Sequence, residues 1–256
     1  MDKEAVIRNF SRNAYFYDKY ADVQKRIGAE LLKLINKESV DSILEIGCGT
    51  GNYTSLLREK FSGAEIKAID ISTKMIEAAA EKISGKRIAF MIEDAETVSL
   101  DEKFDLITSN ACFQWFEDLD AALMKYKKLL KKDGIILFSM FGPGTFWELN
   151  ISLKRMFKDI SIEAADFIGQ NKIGKMLNRH FKQTAIAETV HTESFLCLRD
   201  LLNKIKYTGI RGEGLNNKIF FSRQVLKRLE ESYADEFKGI KATYQILFCR
   251  GVKTEL

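Results

Sequence analysis

The chain has 256 residues, of which 46% are hydrophobic, 30% charged and 11% aromatic, with a formal net charge of +4. That is ample for a sizeable core, a single Pro beside 16 Gly excludes collagen-like and low-complexity classes, and no apolar run approaches the length of a membrane span. Two His and four scattered cysteines (Cys48, Cys112, Cys197, Cys249) without a Cys-x-x-Cys spacing offer little from which to build a zinc site or a His-centred nucleophilic triad.

These features set the first expectations. Isolated thiols, and a start at Met1-Asp2-Lys3-Glu4 with no basic stretch leading into an apolar one, point to the cytoplasm, with no membrane anchor and no metal. The charge is unevenly spread: Asn171 to Leu256 holds 16 Lys/Arg against 9 Asp/Glu, so this part carries +7 and residues 1–170 carry −3. A basic third of this kind is either a solvated helical surface or a face for an acidic partner.

Residues 5–35 read as helical, with Val23, Ile27, Leu31, Leu34 and Ile35 near the 3.6-residue period. Ser42–Ile46 is a short apolar strand that runs into Gly47-Cys48-Gly49-Thr50-Gly51, followed by a helix through Tyr53, Leu56, Leu57 and Phe61. The unit repeats with a strand over Glu65–Ile71, Ser72 as N-cap and a helix burying Met75, Ile76, Ala79, Ala80 and Ile83. Further strands are expected at Arg87–Ile92, Phe104–Ser109 and Ile135–Phe141, with a helix at Leu119–Leu130 ahead of Gly134. After Gly142-Pro143-Gly144 come helical segments near 146–157 and 173–181, a strand at Thr184–Val190, helices near 198–207 and 222–236, and a last strand at Thr243–Cys249. The alternation predicts an α/β fold with a doubly wound, mostly parallel sheet of seven strands, ligands lying at the carboxyl ends of the strands. One domain over 1–256 is expected: helices 5–35 over the site, a sheet core at 40–145 plus strands near 184–190 and 243–249, and a helical elaboration at about 146–180 and 195–238.

The central motif is Glu45-Ile46-Gly47-Cys48-Gly49-Thr50-Gly51-Asn52. Alternate glycines allow a sharp turn on which a ligand can lie against bare backbone, at the N-terminus of a helix that favours anions. A dinucleotide fingerprint needs its third glycine where Asn52 stands, so the spacing argues against NAD. Asp70 ends the second strand, where a carboxylate can accept both hydrogen bonds of a ribose diol or cap the next helix. Glu93-Asp94-Ala95 ends the third strand and Ser109-Asn110-Ala111-Cys112-Phe113-Gln114-Trp115-Phe116-Glu117-Asp118 follows the fourth. Phe113, Trp115 and Phe116 can equally be core aromatics, with Asp118 a helix cap.

The E-x-G-x-G-x-G pattern resembles the first motif of class I S-adenosylmethionine-dependent methyltransferases. The resemblance implies a Rossmann-like fold and S-adenosylmethionine as cofactor. It places Glu45, Gly47, Cys48, Gly49 and Gly51 around the methionine half, Asp70 and Ile71 at the ribose, Asp94 and Ala95 at the adenine, and Asn110 facing the sulfonium. Phe10 to Asp18 resembles the F-x-x-x-A-x-x-Y-D opening of the same class, which puts Tyr17 in the site and Gln24 near the methionine end. With Y-D-x-x-A-x-x-Q at 17–24, S-N-A-x-x-Q-W at 109–115 and F-G-P-G-T-F-x-E-L at 141–149, the chain is similar to the malonyl-[acyl-carrier protein] O-methyltransferases of biotin synthesis. Those enzymes esterify the free carboxyl of a malonyl thioester. Their resemblance implies Tyr17, Gln114 and Trp115 as catalytic positioning residues, and malonyl-acyl-carrier protein, a small acidic domain with a phosphopantetheine arm, as partner. Lys172, Lys175, Arg179, Lys182, Arg199, Lys204, Lys206 and Arg211 are then candidates for its docking face. The motifs end near residue 149, and the acceptor could instead be a small acid such as trans-aconitate, or another small molecule such as a quinone. A non-catalytic cofactor-binding protein, acting through its basic face on a partner or an RNA, is the reading from another class, and it would expect damaged cofactor motifs.

Overall fold

The computed structural model describes residues 3–83, 85, 87–157, 160–209 and 222–254. Seven strands form one sheet in the order β3-β2-β1-β4-β5-β7-β6. The strands are β1 (Ser42–Ile46), β2 (Glu65–Asp70), β3 (Ile88–Ile92), β4 (Phe104–Asn110), β5 (Leu130–Phe141), β6 (Lys182–Phe195) and β7 (Ile240–Val252). The first five pair in parallel, while β7 runs antiparallel to both β5 and β6. Parallel neighbours need helical crossovers, supplied by α3 (Asn52–Lys60), α4 (Thr73–Lys82) and α5 (Leu119–Leu129). This is the mostly parallel, doubly wound sheet that the alternating pattern predicts.

Both faces of the sheet are covered. Along β5, Ile135 and Leu137 join one core and Ile136, Phe138 and Met140 the other, the period-2 alternation of a strand buried on both sides. From β1 the chain builds outward to β3 and then returns to β4 on the other side. The crevice between the carboxyl ends of β1 and β4 is therefore the switch point at which such sheets bind ligands.

Several boundaries differ from expectation for identifiable reasons. The 5–35 helix is two, α1 (Lys3–Tyr20) and α2 (Asp22–Lys33), broken at the fully buried Ala21, whose ψ of 34° leaves the helical region. The break lets α1 lie on α4 while α2 packs against α3. β5 begins at Leu130, directly after α5 and earlier than the expected Ile135, so Gly134 lies inside the strand, where a Cβ would meet the Lys131 carbonyl at 2.9 Å. β6 and β7 are much longer than 184–190 and 243–249, because they pair with each other from Lys182–Val252 to Phe195–Ile240. Interspersed charges such as Glu188 and Glu193 hide the outer part of that pairing in the sequence.

The helical elaboration falls into two insertions. The first, between β5 and β6, holds α6 (Trp147–Met156), a short 3-10 turn at Glu163–Asp166 and α7 (Gln170–His180). The second, between β6 and β7, holds α8 (Leu198–Tyr207) and α9 (Arg223–Phe237). Ser72 and Asp118 cap α4 and α5 as expected, accepting from the Met75 and Ala121 N–H groups at 3.3 and 2.9 Å. No described helix is long and apolar enough to cross a membrane.

Candidate active site

The turn after β1 has three left-handed glycines, with φ of +68° at Gly47, +54° at Gly49 and +81° at Gly51. The N–H groups of Gly47 and Cys48 both donate to the Ile69 carbonyl, at 2.8 and 3.0 Å, which fixes the turn to β2. The glycines are needed for different reasons. A Cβ on Gly47 would lie 2.3 Å from Cys112 Sγ, and one on Gly51 2.7 Å from Ile83 Cδ1 and 3.2 Å from Ala79 Cβ. At Gly49 it would meet nothing within 4 Å. Gly47 and Gly51 thus admit protein neighbours, whereas Gly49 leaves bare backbone facing open space.

Asp70 sits opposite, its carboxylate held by the Gly49 N–H on Oδ2 and the Ser72 N–H on Oδ1, both at 2.9 Å. Burial raises its pKa, against the lowering effect of those two donors. A fixed carboxylate with lone pairs to spare can accept from a diol. At the end of β3, Asp94 accepts from the Glu96 N–H at 2.9 Å and from Lys3 Nζ at 2.7 Å. Lys3 also lies 2.7 Å from Glu96 Oε2, so the start of α1 is strapped to the end of β3.

At the end of β4, Ser139 donates to Asn110 Oδ1 at 2.8 Å and Asn110 Nδ2 donates to the Gln24 carbonyl at 2.9 Å, joining β5, β4 and α2. Trp115 stands edge-on to Phe10 and to Phe167, with ring centroids 6.0 and 5.4 Å away. Tyr17 reaches the glycine turn from α1; burial first, then the charges of Asp70 and Asp18, keeps its phenol protonated well above the ordinary range. Its neighbour Asp18 clamps α1 to the turn, accepting from Thr50 Oγ1 at 2.5 Å, Asn52 Nδ2 at 2.7 Å and Lys82 Nζ at 2.5 Å.

Many of these groups line a cleft between the strand ends and α1 that is open to solvent and takes in about 730 Å³ with its mouth included. Of the residues expected at the site, Tyr17, Gly47, Gly49, Asp70, Ile71, Asp94, Ala95, Asn110 and Trp115 line it. Gln24 and Cys48 line an adjoining recess with Tyr17, Gly49 and Asn110. Gln24 is 6% exposed and its Oε1 has no hydrogen-bond partner, a buried acceptor free for a donor in that recess.

Three expected residues are not on these walls. Glu45 is buried behind the turn, its pKa pushed up to about 8 by burial. Gly51 packs on α4 as described. Gln114 is buried in the 3-10 turn, where Nε2 donates to the Ala111 carbonyl at 2.7 Å. The sequence reading also missed Lys3, Phe10, Met75, Glu96 and Phe116, all of which line the cleft. Only the Tyr17-Asp18 pair hinted at the Asp18 clamp.

The Phe141–Leu149 segment is tied to β7. The N–H groups of Gly142 and Gly144 donate to the Gln245 backbone carbonyl and to its Oε1, at 2.9 and 2.7 Å. Buried Glu148 accepts from the hydroxyl and the N–H of Thr243.

The basic third is less available than its charge suggests. Lys204 is buried and paired with Glu193 at 2.6 Å, and Arg179 is paired with Asp120. Lys172, Lys175, Lys182, Arg199 and Lys206 are exposed, and Arg211 lies outside the described residues.

A family model described as "Methyltransferase domain" matches residues 44–138. Malonyl-[acyl-carrier protein] O-methyltransferase 2 of Ilyobacter polytropus is 37% identical over 253 residues, 97% of each chain, and an Acetivibrio thermocellus malonyl-[acyl-carrier protein] O-methyltransferase is 34% identical over 97% of this chain and 93% of its own. Among solved structures, the YcgJ protein from Bacillus subtilis superposes with a TM-score of 0.63 at 16% identity, covering 90% of this chain and 99% of its own. Phosphoethanolamine N-methyltransferase 2 of Haemonchus contortus, solved with S-adenosyl-L-methionine, gives 0.62 at 19% identity over 96% of this chain and 57% of its own. With the strand order, the glycine turn and the carboxylates at successive strand ends, these similarities place the chain in the class I S-adenosylmethionine-dependent methyltransferases.

Proposed function

We propose that the protein methylates the free carboxylate of a malonyl thioester on acyl-carrier protein, giving the methyl ester that enters biotin synthesis. The observation that carries this reading is similarity to malonyl-[acyl-carrier protein] O-methyltransferases over nearly the whole chain, beyond the cofactor half alone. Bound in the cleft, S-adenosylmethionine supplies an electrophilic methyl group on a positively charged sulfur.

The residues present suit that cofactor. The open backbone at Gly49 and the unpartnered Gln24 Oε1 suit its methionine half, Asp70 its ribose diol, and Asp94 with Ala95 its adenine. No His lines the cleft among the described residues: His180 is hydrogen-bonded to Asp120 and His191 faces Glu30. A carboxylate acceptor, with an ordinary pKa near ~4, is already ionised at neutral pH and needs no base. What the chain contributes is alignment and exclusion of water. Tyr17, held as a phenol, donates a hydrogen bond to the acceptor carboxylate, while Trp115 and Phe10 close the cleft above it. Gln114 acts indirectly by holding the Ala111 carbonyl at the end of β4.

The test is transfer of labelled methyl to malonyl-carrier protein, beside acetyl-carrier protein, malonyl-coenzyme A and trans-aconitate, with the product checked for base lability. Base-labile label that requires the malonyl carboxyl supports the reading. Label on trans-aconitate alone overturns the acceptor.

A further inference from the structure

The outer side of α1 carries an exposed stripe that neither the cleft nor the core uses. Arg12, Tyr15, Phe16, Lys19 and Tyr20 recur at i, i+3, i+4, i+7 and i+8, the spacing of a single helix face. Tyr15 is 91% and Phe16 46% exposed. The rings continue onto α8: Tyr15 packs on Phe16 at 5.1 Å, Phe16 on Tyr207 at 5.5 Å, and Tyr207 stacks on Tyr20 at 4.6 Å with an 18° interplanar angle. Lys19 lies over Tyr20 and Lys206 over Tyr207, at 5.9 and 5.0 Å. Arg12, Lys19 and Lys206 are exposed, and no carboxylate among the described residues pairs with them.

The opposite side of the same helix is the wall of the active site. Phe10 and Tyr17 point into the cleft, and buried Asn13 donates to the Lys206 carbonyl at 3.1 Å, pinning the end of α8 to α1. A helix is only about 10–12 Å across, so whatever sits on the stripe is one helix diameter from the reacting groups. Exposed aromatic rings and arginine are enriched at protein interfaces, and unpaired cations beside them complement an acidic partner.

We propose that this aromatic and basic stripe on α1 and α8 is where the acidic carrier protein docks, its prosthetic arm passing the edge of α1 into the cleft. The proposal rests on the function proposed above. It moves the docking face from the wider basic third, where Lys204 and Arg179 are already paired, to a surface that takes Lys206 as its one described cation from that third.

The test compares malonyl-carrier protein with malonyl-coenzyme A as acceptors for the wild type, Tyr15→Ala/Lys19→Glu and Lys206→Glu. The altered side chains are on the surface, and unchanged kinetics with malonyl-coenzyme A certify each variant as folded. The expected result is a KM for malonyl-carrier protein raised about tenfold or more with kcat unchanged, a difference from wild type that shrinks as salt is added. Equal effects on the two acceptors, or none on the carrier protein, overturn the docking face while leaving the function intact. A dimer of the wild type in sedimentation, dissociated by Tyr15→Ala/Lys19→Glu, would also overturn it by assigning the stripe to a second copy. Wild type that methylates no malonyl thioester overturns the underlying function and the docking proposal together.

Discussion

Two glycine turns of similar appearance end parallel strands of this sheet, and they do different work. Gly47-Cys48-Gly49-Thr50-Gly51 leaves β1, and Gly142-Pro143-Gly144 leaves β5 on the far side of β4. In the first, the space a side chain would fill at Gly49 is open cleft. In the second, a Cβ on Gly142 would come within 2.5 Å of Gln245 Oε1, the atom that accepts the Gly144 N–H. Glycine thus clears room for a ligand in one turn and for a side chain of β7 in the other. The pattern of glycines does not separate the two cases; what occupies the space does.

The difference can be broken most sharply at Gly49. Gly49→Ala places a methyl in the cleft at a left-handed φ, costing about 1–2 kcal/mol of stability. It should weaken S-adenosylhomocysteine binding about 100-fold, toward the upper end of the ~1–3 kcal/mol range for overpacking. Asp70→Ala takes a charged acceptor from the cofactor side and a partner from the Gly49 and Ser72 N–H groups. Its expected cost is about 1.5–3 kcal/mol of binding free energy, read by calorimetry; unchanged affinity would misplace the end of β2.

Gly142→Ala should act on the fold instead. Gln245 must give up its contact with the turn, at about 1–3 kcal/mol, and the melting temperature should fall by about 2–4 °C per kcal/mol. The last effect concerns pH. Glu45 has its pKa pushed up to about 8, so the native state holds a proton that the unfolded chain gives up above about pH 4.5. Its contribution is complete below the unfolded value and is lost as pH rises through about 8. Glu45→Gln removes that slope, so from pH 5 to 9 the melting temperature of the wild type should fall relative to the variant. Parallel curves would place Glu45 in a more solvated setting.

The same contrast explains what was legible in the sequence. The cofactor half is written locally: β2 and β4 end on Asp70 and Asn110, Asp94 follows β3 by two residues, and Ser72 and Asp118 announce the helices that follow. What stayed hidden depends on distant partners. Lys3 meets Asp94 across 91 positions, and Gln245 meets Gly144 across 101. Contiguous motifs also mislead about direction. Glu45 belongs to the same motif as Gly47 and Gly49 but lies behind the turn, and Gln114 sits next to Trp115 yet binds a carbonyl below it. In the C-terminal part, charges that suggest an exposed docking surface are partly consumed inside the fold: Lys204 and Tyr244 both bind Glu193, at 2.6 and 2.9 Å.

Titrating S-adenosylhomocysteine into the wild type, Gly49→Ala and Gly142→Ala side by side, with melting curves for each, tests the division between the two turns most directly. The account predicts one site in the wild type, affinity lost in Gly49→Ala and affinity kept in Gly142→Ala, with the melting temperature lowered in both. Equal loss of affinity in both variants, or full affinity in Gly49→Ala, would contradict it.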